Sequence, residues 1–463
     1  MQKIAIGLLS LLVMFSCGNV KNEEKKSAST PAAAAEKKDL EPITNEVLEN
    51  AIIYEANIRQ YSEEGSFKAF TKDIPVLKQL GVEVLWLMPI YPISTTKSKG
   101  SLGSYYAVSD YTKVNPEFGT LEDFRALVKT AHDHGIYVIL DWVANHTGWD
   151  HVWLKTHPEY YTKDSDGAIT HTVDTDWTDV ADLNYDNQNM REQMRQDMIH
   201  WVANEDIDGF RCDVAGMVPV DFWEKTVEAI KKIKPVFMLA EGWEPELLDH
   251  AFDMGYSWDT HHKMNAIAQE KATVKEWDMR MQQIDSLYDK DDILMNFTSN
   301  HDENSWNGTV NERMGDAAEI FAVLSYVAPG MPLLYSGQEY DLDKRLLFFE
   351  KDTISKEKGK FFPLYQKLGV LKKNSPALHT GENAGSYTRI QTSDNTKILA
   401  FKRQKGSNEI IFIGNMTSKP NTFSVDHTGT YHDFFSEETI KTQPNTTFSF
   451  KPWEYKVLIK TSS

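Results

Sequence analysis

Four short segments of this sequence combine acidic, basic and histidine side chains, and each of them closes an apolar run. They are Asp141 to His146 (DWVANH), Gly209 to Asp213 (GFRCD), Leu239 to Glu241 (LAE) and Ser299 to Asp302 (SNHD). Breaking an acetal linkage requires a proton for the leaving oxygen and a negative group that stabilises or captures the positively charged carbon. Two carboxyl groups with different pKa values meet both needs, so these segments predict the cleavage of a glycosidic bond.

Asp213 and Glu241 are the two carboxyl groups that we predict to carry this chemistry. Asp213 lies two residues after Arg211, and on a strand the two side chains would point the same way. A guanidinium beside Asp213 would keep it ionised, as a nucleophile requires, although a purely structural Arg-Asp pair would show the same spacing. Glu241 follows the apolar run Met238 to Ala240, and such surroundings would raise its pKa and suit a general acid and base.

Eight short apolar segments, separated by amphipathic stretches, predict the framework that positions these residues. Helical patterns such as Leu121 to His134 and Arg191 to Ala203 lie between them, and Gly81 and Gly135 stand where helices would stop. This alternation predicts an α/β fold, a closed (β/α)8 TIM barrel with functional residues at the carboxyl ends of its strands. A doubly wound open sheet is the alternative. The candidate strands are Ile52 to Ile58, Val82 to Met88, Ile136 to Asp141, Ile207 to Asp213, Val236 to Glu241, Ala251 to Tyr256, Ile293 to Thr298 and Met331 to Tyr335.

Two regions depart from this alternation. About fifty residues rich in Trp, His, Asp and Tyr separate the third strand from the next helix, and they predict a small subdomain inserted after strand 3, at about residues 147–187. Short alternating segments with Gly and Asn turns predict a C-terminal antiparallel β-sandwich domain over residues 377–463. The catalytic barrel would then occupy residues 46–376. The candidate strands of the C-terminal domain are Lys397 to Arg403, Glu409 to Asn415, Thr422 to Val425 and Tyr455 to Ile459.

The types and order of the four strand-end segments resemble those of the α-amylase family of glycoside hydrolases, over nearly the whole chain from about Ala51. The resemblance implies a retaining hydrolase that cleaves α-1,4-glucosidic bonds in starch-like glucans or maltooligosaccharides by double displacement. A transglycosylase or debranching enzyme of the same family is one alternative. A non-catalytic glucan-binding lipoprotein is another, disfavoured because the family's three catalytic carboxyls match Asp213, Glu241 and Asp302.

The resemblance also implies roles for residues around the two carboxyls. Asp302 matches the third carboxylate of the family, which binds sugar hydroxyls and helps to distort the ring. Tyr106 stands where the family has an aromatic platform on which the sugar ring stacks, and Tyr105 is the alternative for that role. The substrate-binding residues predicted in this way are Tyr106, His146, Arg211 and His301.

Asn145 and Asp182 resemble two ligands of a structural calcium ion that ties the inserted subdomain to the barrel in this family, and oxygen ligands suit Ca²⁺. A purely hydrogen-bonded role for this pair is the alternative. The chain departs from the family just after the nucleophile, where better-known amylases carry Lys-His and this chain has Gly216 and Met217. Unless another loop supplies a replacement donor, we expect short or medium maltooligosaccharides to be better substrates than long polymers.

The amino terminus predicts export and lipid attachment. Residues 1–17 contain an apolar run from Ile4 to Phe15 that is too short to span a bilayer, and they predict a signal peptide. The run ends at Cys17 in a setting that resembles a bacterial lipobox, where an acylated cysteine would hold the protein on the membrane. A plain cleaved signal or an uncleaved anchor is the alternative. Residues 18–45 are rich in Lys, Glu, Ser and Ala and predict a flexible tether.

These features predict a cell-envelope lipoprotein on the outer membrane. The acidic pair Glu23-Glu24 resembles the surface-export signal of Bacteroidetes lipoproteins, but it also fits a solvated linker. The formal net charge of −19 disfavours nucleic acid or an anionic membrane surface as a partner, whereas a neutral α-glucan is not repelled. The two cysteines, Cys17 and Cys212, are too few for a disulfide framework or a cysteine zinc site. The oligomeric state does not follow from the sequence.

Overall fold

The computed structural model describes residues 40–461, and eight of its strands close into a parallel barrel in the order β1-β2-β3-β6-β7-β8-β9-β10. The predicted (β/α)8 TIM barrel is therefore confirmed. Every candidate strand contains its barrel strand except the third, where the observed strand runs one residue further, to Trp142. The first ten strands are β1 (Ile53–Ala56), β2 (Val84–Leu87), β3 (Tyr137–Trp142), β4 (His146–Gly148), β5 (Val180–Asp182), β6 (Gly209–Cys212), β7 (Phe237–Ala240), β8 (Met254–Tyr256), β9 (Leu294–Asn296) and β10 (Met331–Tyr335).

Helices surround the barrel, and their ends follow local sequence signals. The helix that begins at Leu121 has a capping box between Thr120 and Asp123, and the chain leaves it through Gly135, whose φ of +66° favours glycine. The helices are α1 (Asn45–Asn50), α2 (Ile58–Tyr61), α3 (Phe67–Thr71), α4 (Ile74–Gln79), α5 (Leu121–Asp133), α6 (Val152–Thr156), α7 (Gln188–Asn204), α8 (Val220–Lys231), α9 (Pro245–Leu248), α10 (Trp258–Ala268), α11 (Val274–Leu287), α12 (Val310–Met314), α13 (Ala318–Val327) and α14 (Phe361–Lys373).

The barrel strands are buried on both faces, and alternate residues face different cores. Ile53, Val84, Ile139 and Leu239 belong to a cluster that fills the barrel interior. Their chain neighbours, such as Tyr54, instead join the larger cluster between the barrel and its helices. This period of two decides which strand-end residues reach the interior at the barrel mouth.

The long connection after β3 contains the short antiparallel pair β4 and β5, with α6 between them. This is the region predicted as an inserted subdomain. Trp153 and Tyr160 are buried within it, so the insert contributes aromatic side chains to the main hydrophobic cluster.

The C-terminal region forms an antiparallel domain, as predicted. One sheet has the order β11-β12-β13-β18-β15-β16, and β14 pairs with β17 in a second sheet. Side chains from both sheets, among them Ile411, Phe423 and Phe450, share one hydrophobic cluster. The strands are β11 (Ser386–Arg389), β12 (Ile398–Lys405), β13 (Asn408–Asn415), β14 (Asn421–Val425), β15 (Gly429–Asp433), β16 (Thr439–Thr442), β17 (Thr446–Phe450) and β18 (Tyr455–Lys460).

The predicted signal peptide, the predicted lipidation site Cys17 and most of the predicted tether lie outside the described residues. Within the last part of that tether, Ile43 is buried and joins the cluster inside the barrel, with Leu40 packed against it. Packing onto the barrel therefore begins before residue 46. Between residues 40 and 461, none of the helices has the length and apolar character needed to cross a bilayer.

Candidate active site

The inner face of the barrel changes from apolar to charged at the carboxyl ends of its strands. Three acidic residues each follow an apolar interior residue by two positions: Glu55 after Ile53, Asp141 after Ile139, and Glu241 after Leu239. Arg211 lies opposite Asp141 on the neighbouring strand. Glu55, Asp141 and Arg211 are completely buried. Strand period and barrel closure therefore concentrate these charges in one place.

Arg211 lies at the centre of this group and contacts three carboxyl groups. Its Nη1 is 2.8 Å from Oδ1 of Asp141 and 3.1 Å from Oδ1 of Asp213, and its Nη2 is 2.8 Å from Oε2 of Glu241. Its Nε donates to the hydroxyl of Tyr256. One guanidinium thus holds both predicted catalytic carboxyls, Asp213 through Nη1 and Glu241 through Nη2.

The protonation of the two carboxyls differs from the sequence-based expectation. Burial and the charge of Glu241 raise the pKa of Asp213 well above its ordinary value, and Arg211 only partly offsets them. Burial also opposes ionisation of Glu241, but Arg211 and the Val214 N–H, which donates to Oε2 over 2.8 Å, outweigh it and lower its pKa. In the free protein the guanidinium and the amide favour charge on Glu241, whereas the predicted catalytic roles need an ionised Asp213 beside a protonated Glu241.

His301 links the buried carboxylate of Glu55 to the aromatic side chain of Tyr106. Its Nδ1 is 2.6 Å from Oε1 of Glu55, and its Nε2 is 2.7 Å from the hydroxyl of Tyr106 and 3.4 Å from Asp302. Burial opposes a charge on the ring, but the carboxylates of Asp302 and Glu55 outweigh it and raise the pKa of His301 to about 9. A charged His301 is therefore a second cation, besides Arg211, among these carboxylates.

A cavity of about 590 Å³ opens above these residues. Tyr106 lines it, whereas Tyr105 is buried beside Arg59 and Asn57, so the structure places Tyr106 where a ligand could stack. Burial lowers the pKa of His146 to about 4, so its ring is neutral. The cavity is lined by Lys99, Ser104, Tyr106, His146, Asp176, Trp177, Asp179, Val180, Asp213, Val214, Glu241, His301, Asp302, Trp306, Phe348 and Phe349.

The structure therefore brings together the predicted catalytic and substrate-binding residues, and it adds others that the sequence did not single out. Asp141 accepts hydrogen bonds from Trp86 and Tyr106 besides its contact with Arg211. Asp141 and Glu55 could have been found from the period of two, because each is an acid two positions beyond an inward apolar residue. The lining residues Lys99 and Phe348 lie on long loops, and Trp306 lies in the short π-helix Glu303–Asn307, so none of them carries such a signal.

Asn145 and Asp182, the predicted calcium ligands, are connected by Thr172. Nδ2 of Asn145 donates to Oγ1 of Thr172 over 3.0 Å, and that hydroxyl donates to Oδ1 of Asp182 over 2.9 Å. Ca²⁺ takes six to eight oxygen ligands, whereas residues 40–461 contain no cluster of three or more His, Cys, Asp or Glu side chains suited to a metal. In this structure the two residues are joined by hydrogen bonds through Thr172, and the calcium ion stays a prediction.

The departure from the family at Gly216 and Met217 has a structural counterpart on the neighbouring loop. A Cβ atom at Gly216 would lie 3.0 Å from both carboxylate oxygens of Glu244, so Glu244 fills the space beside this glycine. Met217 and Trp243 are 47% and 53% exposed nearby. The replacement for the missing Lys-His is therefore a hydrogen-bond acceptor between two exposed apolar side chains.

The comparison with protein families agrees with this geometry. The family described as the catalytic domain of α-amylase matches residues 53–177 and 170–405, which is most of the chain and includes the whole barrel. The chain belongs to the α-amylase family. It is thus an amylase-family glycoside hydrolase whose catalytic domain contains all the strand-end residues described above.

Individual relatives extend the likeness into the C-terminal domain. α-Amylase 3 of Dictyoglomus thermophilum is 24% identical and aligned over 86% of this chain and 90% of its own length. A 4-α-glucanotransferase of Thermotoga neapolitana is 30% identical over 59% of this chain and 67% of its own length. The crystal structure of a noncanonic maltogenic α-amylase, AmyB, from Thermotoga neapolitana superposes with a TM-score of 0.82 at 29% identity, covering 89% of this chain and 99% of that one.

Proposed function

We propose that this enzyme hydrolyses α-1,4-glucosidic bonds in starch-like glucans or maltooligosaccharides with retention of anomeric configuration. One observation carries the proposal: Asp213 and Glu241 contact the two terminal nitrogens of one guanidinium, at 3.1 and 2.8 Å. A shared guanidinium holds the two carboxyls close together, as in retaining enzymes, whereas an inverting enzyme needs a wider separation that leaves room for a water molecule. A double displacement is the mechanism that remains for two carboxyls so arranged.

In the first step Asp213 attacks the anomeric carbon as the glycosidic bond breaks, and Glu241 gives its proton to the leaving oxygen. This step requires an ionised Asp213 and a proton on Glu241. In the second step a water molecule attacks the anomeric carbon of the glucosyl-Asp213 ester and gives its proton to Glu241. The carboxylate of Asp213 is then released, and atoms and charges balance over the cycle.

The remaining residues have binding roles in this proposal. Tyr106 offers its ring to the apolar face of the sugar under attack, and Asp302 accepts hydrogen bonds from its hydroxyls. His146 and the charged His301 donate to the same sugar, while Arg211 stabilises whichever carboxyl is ionised. Asp302 is partly exposed, with 37% of its side chain accessible, so it is open to such a ligand.

The proposal is tested by incubating the enzyme with maltooligosaccharides, soluble starch, pullulan and cyclodextrin, and by sizing the products. Proton NMR of the first product should show the α-anomer. A β-anomer at early times would contradict double displacement, and no release from any of these substrates would contradict the assigned activity.

Transfer to another sugar is the second candidate function. Two observations favour it: a 4-α-glucanotransferase is among the relatives, and the side of the site near Met217 and Trp243 is exposed. A sugar hydroxyl could intercept the same covalent intermediate there. Reaction in ¹⁸O-labelled water separates the two, because hydrolysis puts the label on the anomeric carbon of the fragment released from the enzyme and transfer leaves products longer than the substrate without label.

We further propose that Cys17 is acylated and holds the enzyme on the cell envelope. The support is the short apolar run that ends at this cysteine, and each buried methylene of an acyl chain contributes about 0.8 kcal/mol to membrane binding. Cys17→Ser should move the protein from the membrane fraction to the soluble fraction. Unchanged membrane association of this variant would argue against acylation.

A further inference from the structure

The cavity has two sides that differ in chemistry. Glu241, the predicted proton donor, follows β7, so the leaving group must lie on that side of the mouth. The sugars on the other side of the broken bond, the glycone side, lie towards the loops after β2, β3 and β10. These three loops bring Lys99, Asp179 and Phe349 to the cavity wall.

The loop after β2 is tied to the insert after β3. Nζ of Lys99 is 3.2 Å from Oδ1 of Asp179, whose side chain is 6% exposed, and it also donates to the carbonyl of Asp176 over 3.0 Å. In the loop after β2, the Thr95 N–H also donates to Asp150 of the insert over 2.9 Å. This side of the wall is therefore held by an ion pair whose carboxylate is nearly buried and by hydrogen bonds to backbone groups.

The loop after β10 is tied to the barrel by partly buried hydrogen bonds. Nε2 of Gln60 donates to the carbonyl of Leu347 over 2.6 Å, and Nζ of Lys351 donates to the carbonyls of Arg59 and Ser62. These contacts flank the two phenylalanines at positions 348 and 349 on either side. Such anchoring describes a fixed wall and not a mobile lid.

The two loops meet directly beside the cavity. The Leu102 N–H donates to the carbonyl of Phe349 over 3.1 Å, and the Ser101 N–H donates to Glu350 over 2.9 Å. Gly100 has a φ of +66°, and any side chain there would collide with the Cβ of Phe349. A glycine thus permits the closest approach of the two loops.

We infer that Lys99, Asp179 and Phe349, here called the end wall, close the glycone side of the cleft and select substrates by their non-reducing ends. The inference rests on the proposed cleavage of α-1,4-glucans. In such a chain the glycone side leads to the non-reducing end, so a closed wall admits only a limited number of sugars before it. The enzyme then removes a short fragment of fixed length from that end. The cavity volume is that of a small-ligand pocket and not of a long open groove.

The test compares maltoheptaose with the same chain whose terminal glucose carries a 4,6-O-ethylidene group at the non-reducing end. The end wall should exclude the added group, so kcat/KM should fall by a factor of about ten to two hundred, the range expected for a pocket that rejects a small addition. Maltoheptaose labelled at its reducing end should yield one labelled fragment at early times. Equal rates on both chains, or several labelled fragments at once, would overturn the inference while leaving the proposed function intact. No cleavage of either chain would overturn both.

Variants of the wall give a second measurement. The double variant Lys99→Ala/Phe349→Ala should raise the rate on the blocked chain relative to the free chain about tenfold. The matched control is Lys367→Ala/Phe435→Ala, which removes a lysine and a phenylalanine that contact each other away from the cavity, and it should leave the ratio unchanged. A wall variant that folds and keeps the original ratio would overturn the assignment of these residues. If the wall variant does not fold, the rates of the natural enzyme on the blocked and free chains still test the inference.

Discussion

The two sides of the active site are built differently. On the glycone side, the end wall is held by the Lys99-Asp179 ion pair and by hydrogen bonds that join three loops. On the leaving-group side, Met217 and Trp243 are about half exposed, and the family's Lys-His pair is absent. A rigid closed end faces an open apolar end across one pair of carboxyls.

This contrast explains how one site could bind the glycone in a fixed position and still tolerate different leaving groups or acceptors. Contacts on the closed side would hold the glycone in the position that Asp213 attacks, so binding energy there serves the reaction. The open side has few polar groups for the leaving group or for an acceptor. Glu244 beside Gly216 is the exception, and it accepts hydrogen bonds. The closed side should therefore determine which substrate lengths are accepted. The open side should discriminate little between leaving groups.

The largest expected effect separates the chemistry of the two sides. Asp213→Asn and Glu241→Gln should each lower activity on maltooligosaccharides by several orders of magnitude, because each removes a chemical role. With α-maltosyl fluoride, whose leaving group needs little protonation, only Glu241→Gln should recover. Circular dichroism of both variants serves as the folding control. More than about a tenth of the natural activity in either variant on maltoheptaose would contradict the assignment.

A smaller effect is expected from the open side. Trp243→Ala and Met217→Ala should lower kcat/KM for maltoheptaose up to about tenfold, because they remove apolar surface from the leaving-group sugars. Neither should change kcat/KM for α-maltosyl fluoride, which has no such sugars. Met279→Ala is the matched control, since this methionine is exposed on α11 outside the barrel. Equal losses on both substrates would mean that these side chains do not contact the leaving group.

The protonation of the two carboxyls predicts opposite changes in thermal stability. The pKa of Asp213 is raised in the folded protein, so stability is lost as pH rises from its unfolded value towards its folded one, and neutral Asn removes that penalty. The pKa of Glu241 is lowered, so its stabilising contribution exists above the unfolded value and is lost as pH falls. At pH 7, Tm should rise by about 1–3 °C in Asp213→Asn and fall by a similar amount in Glu241→Gln. Changes in Tm of the same sign in both variants would contradict the opposite pKa shifts of Asp213 and Glu241.

The smallest effect concerns the insert that supports the closed side. Because Thr172 links Asn145 to Asp182 by hydrogen bonds, removal of calcium with EGTA should change Tm by less than about 1 °C. Thr172→Val should lower Tm by a few degrees, since it breaks that link in a buried place. Calorimetry with EGTA or with added Ca²⁺ checks both expectations. A marked loss of stability in EGTA would support the structural calcium ion that the family resemblance implies.

Much of the fold was predictable because it depends on local patterns. Continuous apolar strands, amphipathic helices and helix stops such as Gly135 identified the eight barrel units, and alternating segments identified the C-terminal domain. Strands β11, β15, β16 and β17 were not predicted. Their burial alternates weakly and several of their residues are exposed, so hydrophobic pattern alone could not distinguish them from loops.

The sequence by itself determined which side chains would reach the barrel mouth, because the period of two along a strand and the carboxyl-end rule need no knowledge of distant contacts. Only the tertiary structure decided how those side chains share charge. Arg211 favours Glu241 over Asp213 because barrel closure places its Nη2 and the Val214 N–H on Glu241. It also decided where the cleft ends. The end wall forms from three loops that are far apart in the chain and are joined by contacts such as Leu102 to Phe349, and no local pattern encodes a meeting of that kind.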